Sequence, residues 1–415
     1  MSSFATSTQA GTLLPALHGC TLVEIDVNEG GQYAGRLLAA MGARVVKFES
    51  LEGDAMRSLA PFVHDRCGRR RSLPFEYFNA AKQSLALDFE DSFAFEVLQG
   101  FISAHPADTA VLASPRAAAR LPATLQGLVI VAGPYGASGP DSQAPTTPFT
   151  RCHAGGNGYT VPGDDWQRFR PTMPGTLASE CFSGGGIAMA VLGALLIRRT
   201  DATLAATQSP RVDFSQQAQS VNLEKMFIGR TATEGIEPTR ETHRYPFGGA
   251  VRCSDGYVSM LINEMHQWHG LCDIIGQPEW AHDSRFAGGG GRWAMQDSIR
   301  AALTAWCSTR CVSEVLGLAR ARGVPMGAIR TVQEVLAADE LRWRGFLGEA
   351  ETPYGKVVDI GLPYGLADPM WSVRASAVAP LPGEHSAAIL GELGHGPADI
   401  ALFERLGLIH CESAH

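Results

Sequence analysis

Lysine is scarce: Lys47, Lys82, Lys225 and Lys356 are the only four, among 34 basic residues. The net charge is −8, which argues against a nucleic-acid partner or an anionic membrane surface. No GxGxxG occurs, so a dinucleotide site is not indicated. The nine cysteines contain no CxxC pair, and Cys307 and Cys311 have no further Cys or His nearby to complete a metal set. No metal is expected, and the scattered free thiols point to a reducing cytoplasm. The opening residues, MSSFATSTQAGTLLPALHG, lack the basic and apolar blocks of a secretory signal. The apolar run Ile187–Ile197 is roughly half the ~20 residues needed to cross a bilayer, so no membrane span is expected. Repeats and low-complexity tracts are also missing.

What is present is an α/β pattern. The 415 residues suggest two or three domains. Cys20–Asp26 (CTLVEID) reads as a buried strand, Asn28–Gly31 (NEGG) as a turn, Gln32–Met41 as a helix and Ala43–Phe48 as a second strand. That is a βαβ unit, which predicts a parallel sheet with helices on its faces. Ser84–Phe89, Thr109–Leu112 and Leu128–Ala132 add strands, and Ser92–Ala104 a helix. Ligands of such sheets sit beyond the carboxyl ends of the strands, here Asn28–Gly31 and Glu49–Asp54. Arg57, Arg66, Arg69, Arg70 and Arg71 stand in an irregular stretch that reads either as a solvated loop or as a phosphate contact. Residues 141–175 are loop-rich and include His153 and the VPGDD of Val161–Asp165, and further on Arg211–Ser215 reads as a strand and Gln216–Met226 as a helix. A second unit opens with a hairpin, Ala250–Cys253 and Tyr257–Ile262 around Ser254-Asp255-Gly256. Helices are predicted after it at 266–275, 295–308 and 311–322, with Gly288–Gly291 as a linker.

The most unusual stretch is Thr176–Arg199, TLASECFSGGGIAMAVLGALLIRR. Glu180 is followed by Gly184, Gly185 and Gly186, then by the apolar run. The glycines predict a tight turn where backbone approaches a ligand, and the run predicts a buried helix. On position alone Glu180 is either a reactive group or a carboxylate placed at the positive end of a helix dipole.

Six blocks, in order, resemble those of the class III coenzyme A transferases, the group that includes formyl-CoA transferase, carnitine CoA-transferase and α-methylacyl-CoA racemase. They are LLAAMGARVVKFESLEGDAMR (Leu37–Arg57), NAAKQSLALDF (Asn79–Phe89), GASGP (Gly136–Pro140), SDGYV (Ser254–Val258), GVPMGAIRTVQEVLAADELRWRGFL (Gly323–Leu347) and LPGEHSAAILGELG (Leu381–Gly394). The resemblance implies a Rossmann-like large domain from both chain ends, residues 1–205 plus 340–415. It implies a smaller inserted α+β domain over 225–339, with 206–224 as a linker, and an interlocked dimer.

It also implies the chemistry. The substrates are an acyl-CoA and a carboxylic acid, with coenzyme A as the carrier and no metal. A carboxylate attacks the acyl-CoA thioester to give a mixed anhydride, and then an enzyme-bound CoA thioester. The family nucleophile is an aspartate; its position is Glu180 here, one methylene longer. The expected acyl and oxyanion region is Tyr135, Gly184 and Gly185, and the expected CoA contacts are Asn28, Glu29, Gly30, Ser50, Arg57, Leu87 and Arg120, with Arg69, Arg70 and Arg71 as further phosphate candidates. The chain departs from the family pattern at Gln32, Ser50, Glu90 and Ala113, while Asn79, Lys82, Leu87 and Arg57 stay in register. The racemase branch pairs a histidine with its aspartate. The matching position falls near Thr146 or Thr147, and His153 lies further along, so a two-base mechanism lacks a partner. Two alternatives stay open: an acyl-CoA isomerase or lyase with Glu180 as base, and a diverged non-catalytic subunit paired with a paralogous chain rather than a homodimer.

Overall fold

The computed structural model describes residues 15–104, 109–122, 125, 127–156, 173, 175, 177–200, 211–223, 250–262, 264–286, 291, 292, 294–363 and 378–412. The VPGDD stretch and most of Gly288–Gly291 fall outside them. The chain divides into two compact units. One is Met1–Gly155, Met173–Leu223 and Glu340–His415; the other is Gly156–Thr172 and Glu224–Asp339.

The larger unit is built on strands whose alternate residues are apolar on both faces, the pattern of a sheet covered on both sides. In chain order they are β1 (Thr21–Ile25), β2 (Arg44–Glu49), the small hairpin β3 (Phe62–His64) and β4 (Arg70–Ser72), β5 (Gln83–Leu87), β6 (Thr109–Ala113), β7 (Leu128–Gly133) and β8 (Arg211–Ser215). A two-stranded ribbon, β9 (Leu347–Thr352) and β10 (Gly355–Ile360), precedes the short β11 (Ile409–His410). The main sheet runs β11-β5-β2-β1-β6-β7-β8, and every pairing is parallel except that of β11 with β5. From β1 the chain winds one way to β2 and β5, and then the other way through β6, β7 and β8. The order therefore reverses between β1 and β6, where such sheets bind ligands.

Val23, Val46, Leu85, Val111 and Val129 face one layer, made by the helices α3 (Phe93–Ala104) and α4 (Pro115–Arg120) and the late helix Ser386–Glu392. Leu22, Val45, Leu112 and Ile130 face the other, made by α1 (Glu29–Ala40) and α6 (Ala178–Thr200). Between these lie α2 (Leu73–Asn79), α5 (Pro148–Ala154) and, after β8, α7 (Gln216–Leu223). The smaller unit holds the expected hairpin, Val251–Arg252 with Tyr257–Met260, extended by Met326–Ala328 and packed around buried Trp268 and Phe286.

Four expectations are corrected. Asn28–Gly31 is not a free turn: α1 begins at Glu29, because the Asn28 side chain accepts a hydrogen bond from the Gly31 N–H at 3.2 Å and caps the helix. The glycines Gly184–Gly186 are not a turn either, since α6 runs unbroken from Ala178 to Thr200. The span 206–224 is not simply a linker between domains: the strand and helix read over Arg211–Ser215 and from Gln216 both form, and β8 closes one edge of the sheet. Finally, an apolar segment of spanning length does exist. Ala178–Ile197 is 20 residues long and apolar enough to cross a bilayer, since the helix takes in small residues ahead of the apolar run. Half of it is buried within the protein, and its inner face (Ile187, Val191, Ala194, Leu195) packs in the core shared with α1.

Candidate active site

Two helix N-termini meet at Glu180. The residue stands in the first turn of α6, and Glu29 stands in the first turn of α1, so each carboxylate lies where unsatisfied backbone N–H groups favour negative charge. Arg151 of α5 bridges them. Its Nε donates to Glu180 Oε1 at 3.2 Å, one terminal nitrogen pairs with Glu29 Oε2, and the other donates to Thr146 Oγ1 at 3.3 Å. Gln216, immediately after β8, donates from Nε2 to Glu180 Oε2 at 3.1 Å and accepts at Oε1 from Asn28 Nδ2 at 2.9 Å. Both oxygens of Glu180 are thus held, and the residue is 1 % exposed.

The electrostatics follow from that burial. Desolvation pushes the Glu180 carboxyl above the usual carboxylate range; the Arg151 charge opposes the shift and Glu29 adds to it. The neighbouring thiols are pushed up as well, Cys181 to about 11, by burial and then by the Glu180 charge. They are protonated at neutral pH and poor nucleophiles.

Glycine is required where the helices touch. A Cβ on Gly30 would lie 2.8 Å from Gln216 Nε2 and 3.3 Å from Glu180 Oε2, and one on Gly184 would lie 2.7 Å from the Gly30 carbonyl oxygen. Gly184 and Gly185 sit inside a helix, where their N–H groups serve the i→i−4 ladder. The expected oxyanion role is therefore not available to them, and Gly184 acts instead as a packing surface for α1.

A cleft of about 740 Å³ opens beyond the carboxyl ends of β1, β2 and β5. Asn28, Glu29, Ser50, Leu87, Arg120 and Arg151 are on its wall. Glu180 and Gly30 are not; they lie behind, and Arg151 is the wall residue that donates to Glu180. Arg57 is also off the wall. It pairs with Glu49 at 2.7 and 2.9 Å, donates to the Pro380 carbonyl at 3.0 Å and stacks 3.8 Å over Phe75, so it braces the ESLEGD loop. Arg71 is tied to Glu76 at 2.7 Å, Arg69 to Glu412 at 3.4 Å, and Arg70 lies 4.3 Å over Phe62. The arginines that do reach the cleft beside Arg151 are Arg116 and Arg120 of α4. Tyr135 is half-buried in the loop after β7 and off the cleft wall; Asp213 anchors that loop by accepting from the Ala137 N–H at 2.7 Å. His153, expected in a loop, lies in α5 with its ring edge-on to Phe149, 4.2 Å between centroids.

Sequence reasoning misses Arg151 and Gln216. The rule that ligands gather at strand ends reaches Gln216 once β8 is known. Arg151 carries no signal beyond being one arginine among many. Lys82, in register within NAAKQSLALDF, and Lys47, within the Leu37–Arg57 block, are two of the four scarce lysines, and the structure gives both a place. Lys82 Nζ donates to Glu24 at 2.7 Å, to the Gln32 carbonyl at 2.7 Å and to Asn79 Oδ1 at 3.0 Å, while Lys47 pairs with Asp54 at 2.6 Å. Burial lowers the Lys82 amine to about 8 despite the Glu24 charge. This buried network fixes Gln32 and Asp54, both on the cleft wall.

Fold and site together define an α/β protein with a cleft at the reversal of a doubly wound sheet and a buried, raised-pKa carboxylate behind its wall. The family model CoA-transferase family III matches residues 17–386, and the chain belongs to that family. It is 26% identical to a formyl-CoA:oxalate CoA-transferase of Streptomyces coelicolor over 95% of this chain and 99% of that one. It is 23% identical to a succinate–glutarate CoA-transferase of Agrobacterium fabrum over 91% of this chain and 96% of that one. The fold matches that of a CAIB/BAIF family protein from Brucella suis with a TM-score of 0.72 at 23% identity, covering 92% of this chain and 100% of that one.

Proposed function

We propose that the protein transfers coenzyme A between an acyl-CoA and a carboxylic acid, with Glu180 as the covalent nucleophile. The observation that carries this reading is the Glu180 carboxylate itself, in the first turn of α6 with both oxygens held by Arg151 and Gln216; the sequence resemblance implies that this is the nucleophile's position. Such a group is positioned before substrate arrives. Glu180 attacks the thioester carbonyl, a C–O bond forms and the C–S bond breaks, and CoA leaves as thiolate. The thiolate then attacks the Glu180 carbonyl of the anhydride, releasing the donor acid and leaving a glutamyl-CoA thioester. The acceptor acid reverses these steps.

The cleft would take the CoA, with Arg116 offered to its phosphates and Arg120, which pairs with Glu90 at 3.0 Å, beside it. The relatives act on oxalate and on succinate or glutarate, and small dicarboxylic acids are the first acceptors to try here. Assembly as an interlocked dimer belongs to the same reading; the exposed apolar residues Phe182, Met189 and Leu196 on α6 support self-association. The test is to incubate the protein with succinyl-CoA, trap with borohydride or hydroxylamine, and map the mass change. A modification on Glu180 is expected. An unmodified Glu180 with exchange of the α-proton would instead make it a general base, a role its raised pKa also suits.

A further inference from the structure

We propose that Arg151 is the handhold for the acceptor's carboxylate: its guanidinium holds the incoming acid beside the Glu180 carbonyl that the acid must attack. The inference rests on Glu180 being the nucleophile, and it follows from counting charges. Before reaction one buried cation, Arg151, faces two carboxylates, Glu29 and Glu180, with neutral Thr146 as its third partner. Once Glu180 carries the CoA thioester it is neutral. Arg151 keeps Glu29, but the Nε that held Glu180 at 3.2 Å has lost its anion. A buried charged donor left without its anion is costly, and an incoming carboxylate relieves that cost.

Geometry limits which group can do this. Arg151 is on the cleft wall and Glu180 is not, so an anion coming through the cleft meets the residue that donates to Glu180. Among the described residues no other basic side chain bonds Glu180. Lys82 and Lys47 are committed to Glu24 and Asp54. The planar fork of arginine also suits a carboxylate better than a point charge does. In the step itself an acceptor oxygen attacks the Glu180 thioester carbon. The C–O bond forms, the C–S bond breaks, and CoA leaves as thiolate. That thiolate then attacks the acceptor's carbonyl in the anhydride. The acceptor leaves as its CoA thioester, and the regenerated Glu180 carboxylate returns to Arg151.

The test uses the full chain charged with succinyl-CoA and freed of excess reagent, following loss of the Glu180 adduct by intact mass. Charged wild type, R151Q and R151K are each discharged with succinate, an anion, and in parallel with hydroxylamine, which is neutral near pH 7.5. Because Glu180 is already acylated, its own ionisation does not enter. Discharge by succinate is expected to slow roughly 10- to 100-fold in R151Q, the worth of one charged hydrogen bond, and to stop saturating with succinate. Discharge by hydroxylamine is expected to stay near the wild-type rate. R151K, which keeps the charge, is expected to fall between, and it carries the test if R151Q does not fold. Equal slowing with both nucleophiles would reduce Arg151 to a structural brace, and unchanged discharge by succinate would overturn the handhold. Wild type that never takes an adduct on Glu180 would sink the nucleophile reading and the handhold with it, whereas the other two outcomes leave that reading standing.

Discussion

The substitution that probes the site most directly is Glu180→Asp, which installs the residue the family resemblance leads one to expect. Removing one methylene draws the carboxylate back by about 1.5 Å, one C–C bond. The contacts to Arg151 and Gln216 are 3.2 and 3.1 Å now, and a retreat of that size takes both beyond hydrogen-bonding range. A nucleophile displaced by ~1 Å loses on the order of 100-fold in rate, which corresponds to ~2.7 kcal/mol of transition-state stabilisation. Glu180 is behind the cleft wall rather than on it, so affinity for acyl-CoA should change little. The expected result is a single-turnover rate of adduct formation down ~100-fold with the half-saturating acyl-CoA concentration nearly unchanged. Glu180→Gln should form no adduct at all. If Glu180→Asp reacts within about fivefold of wild type, the site is not built around the longer side chain, and Arg151 and Gln216 do not set the reach of the nucleophile.

Three further outcomes follow from the same structure. Adduct formation should rise with pH through the raised Glu180 pKa, so its acid limb lies above the usual ~4.3 of a glutamate. A folded pKa above the unfolded one gives a stability contribution that is present at acid pH and is lost as pH rises through the folded value; the Tm of Glu180→Gln relative to wild type should therefore increase toward neutral pH, and a constant difference would contradict the raised pKa. Gly184→Ala should lose about 1–3 kcal/mol from overpacking against the Gly30 carbonyl, while Gly185→Ala, which meets nothing within 4 Å, should gain up to ~1 kcal/mol from helix propensity; urea melts of the two read opposite signs. Lys82→Met leaves Glu24 buried with Lys47 as its nearest cation at 3.9 Å and should lose roughly 3–5 kcal/mol in the same assay.

What is legible in the sequence is what local pattern encodes. Short runs such as LVIVA and TAVLA, apolar on both faces, announce buried parallel strands, and the βαβ spacing announces the winding that puts a cleft beyond β1. The pairings of the site are not legible, because they are tertiary. Arg151 lies 29 residues before Glu180 and Gln216 36 residues after it, and no periodicity links such positions. The glycines after Glu180 show most clearly why propensity misleads. Each glycine inside a helix costs about 1 kcal/mol relative to alanine, so three in a row favour a turn. Packing overrides that preference: only a residue without Cβ lets α6 lie against the Gly30 carbonyl, and the core shared by α1 and α6 more than offsets the propensity deficit. The difference matters for chemistry. A carboxylate on a glycine loop must be ordered when substrate binds, whereas Glu180 stands in the first turn of a packed 23-residue helix with both oxygens already held. Gly184, which looks like flexibility beside Glu180, is what lets the helix that carries Glu180 pack rigidly against α1.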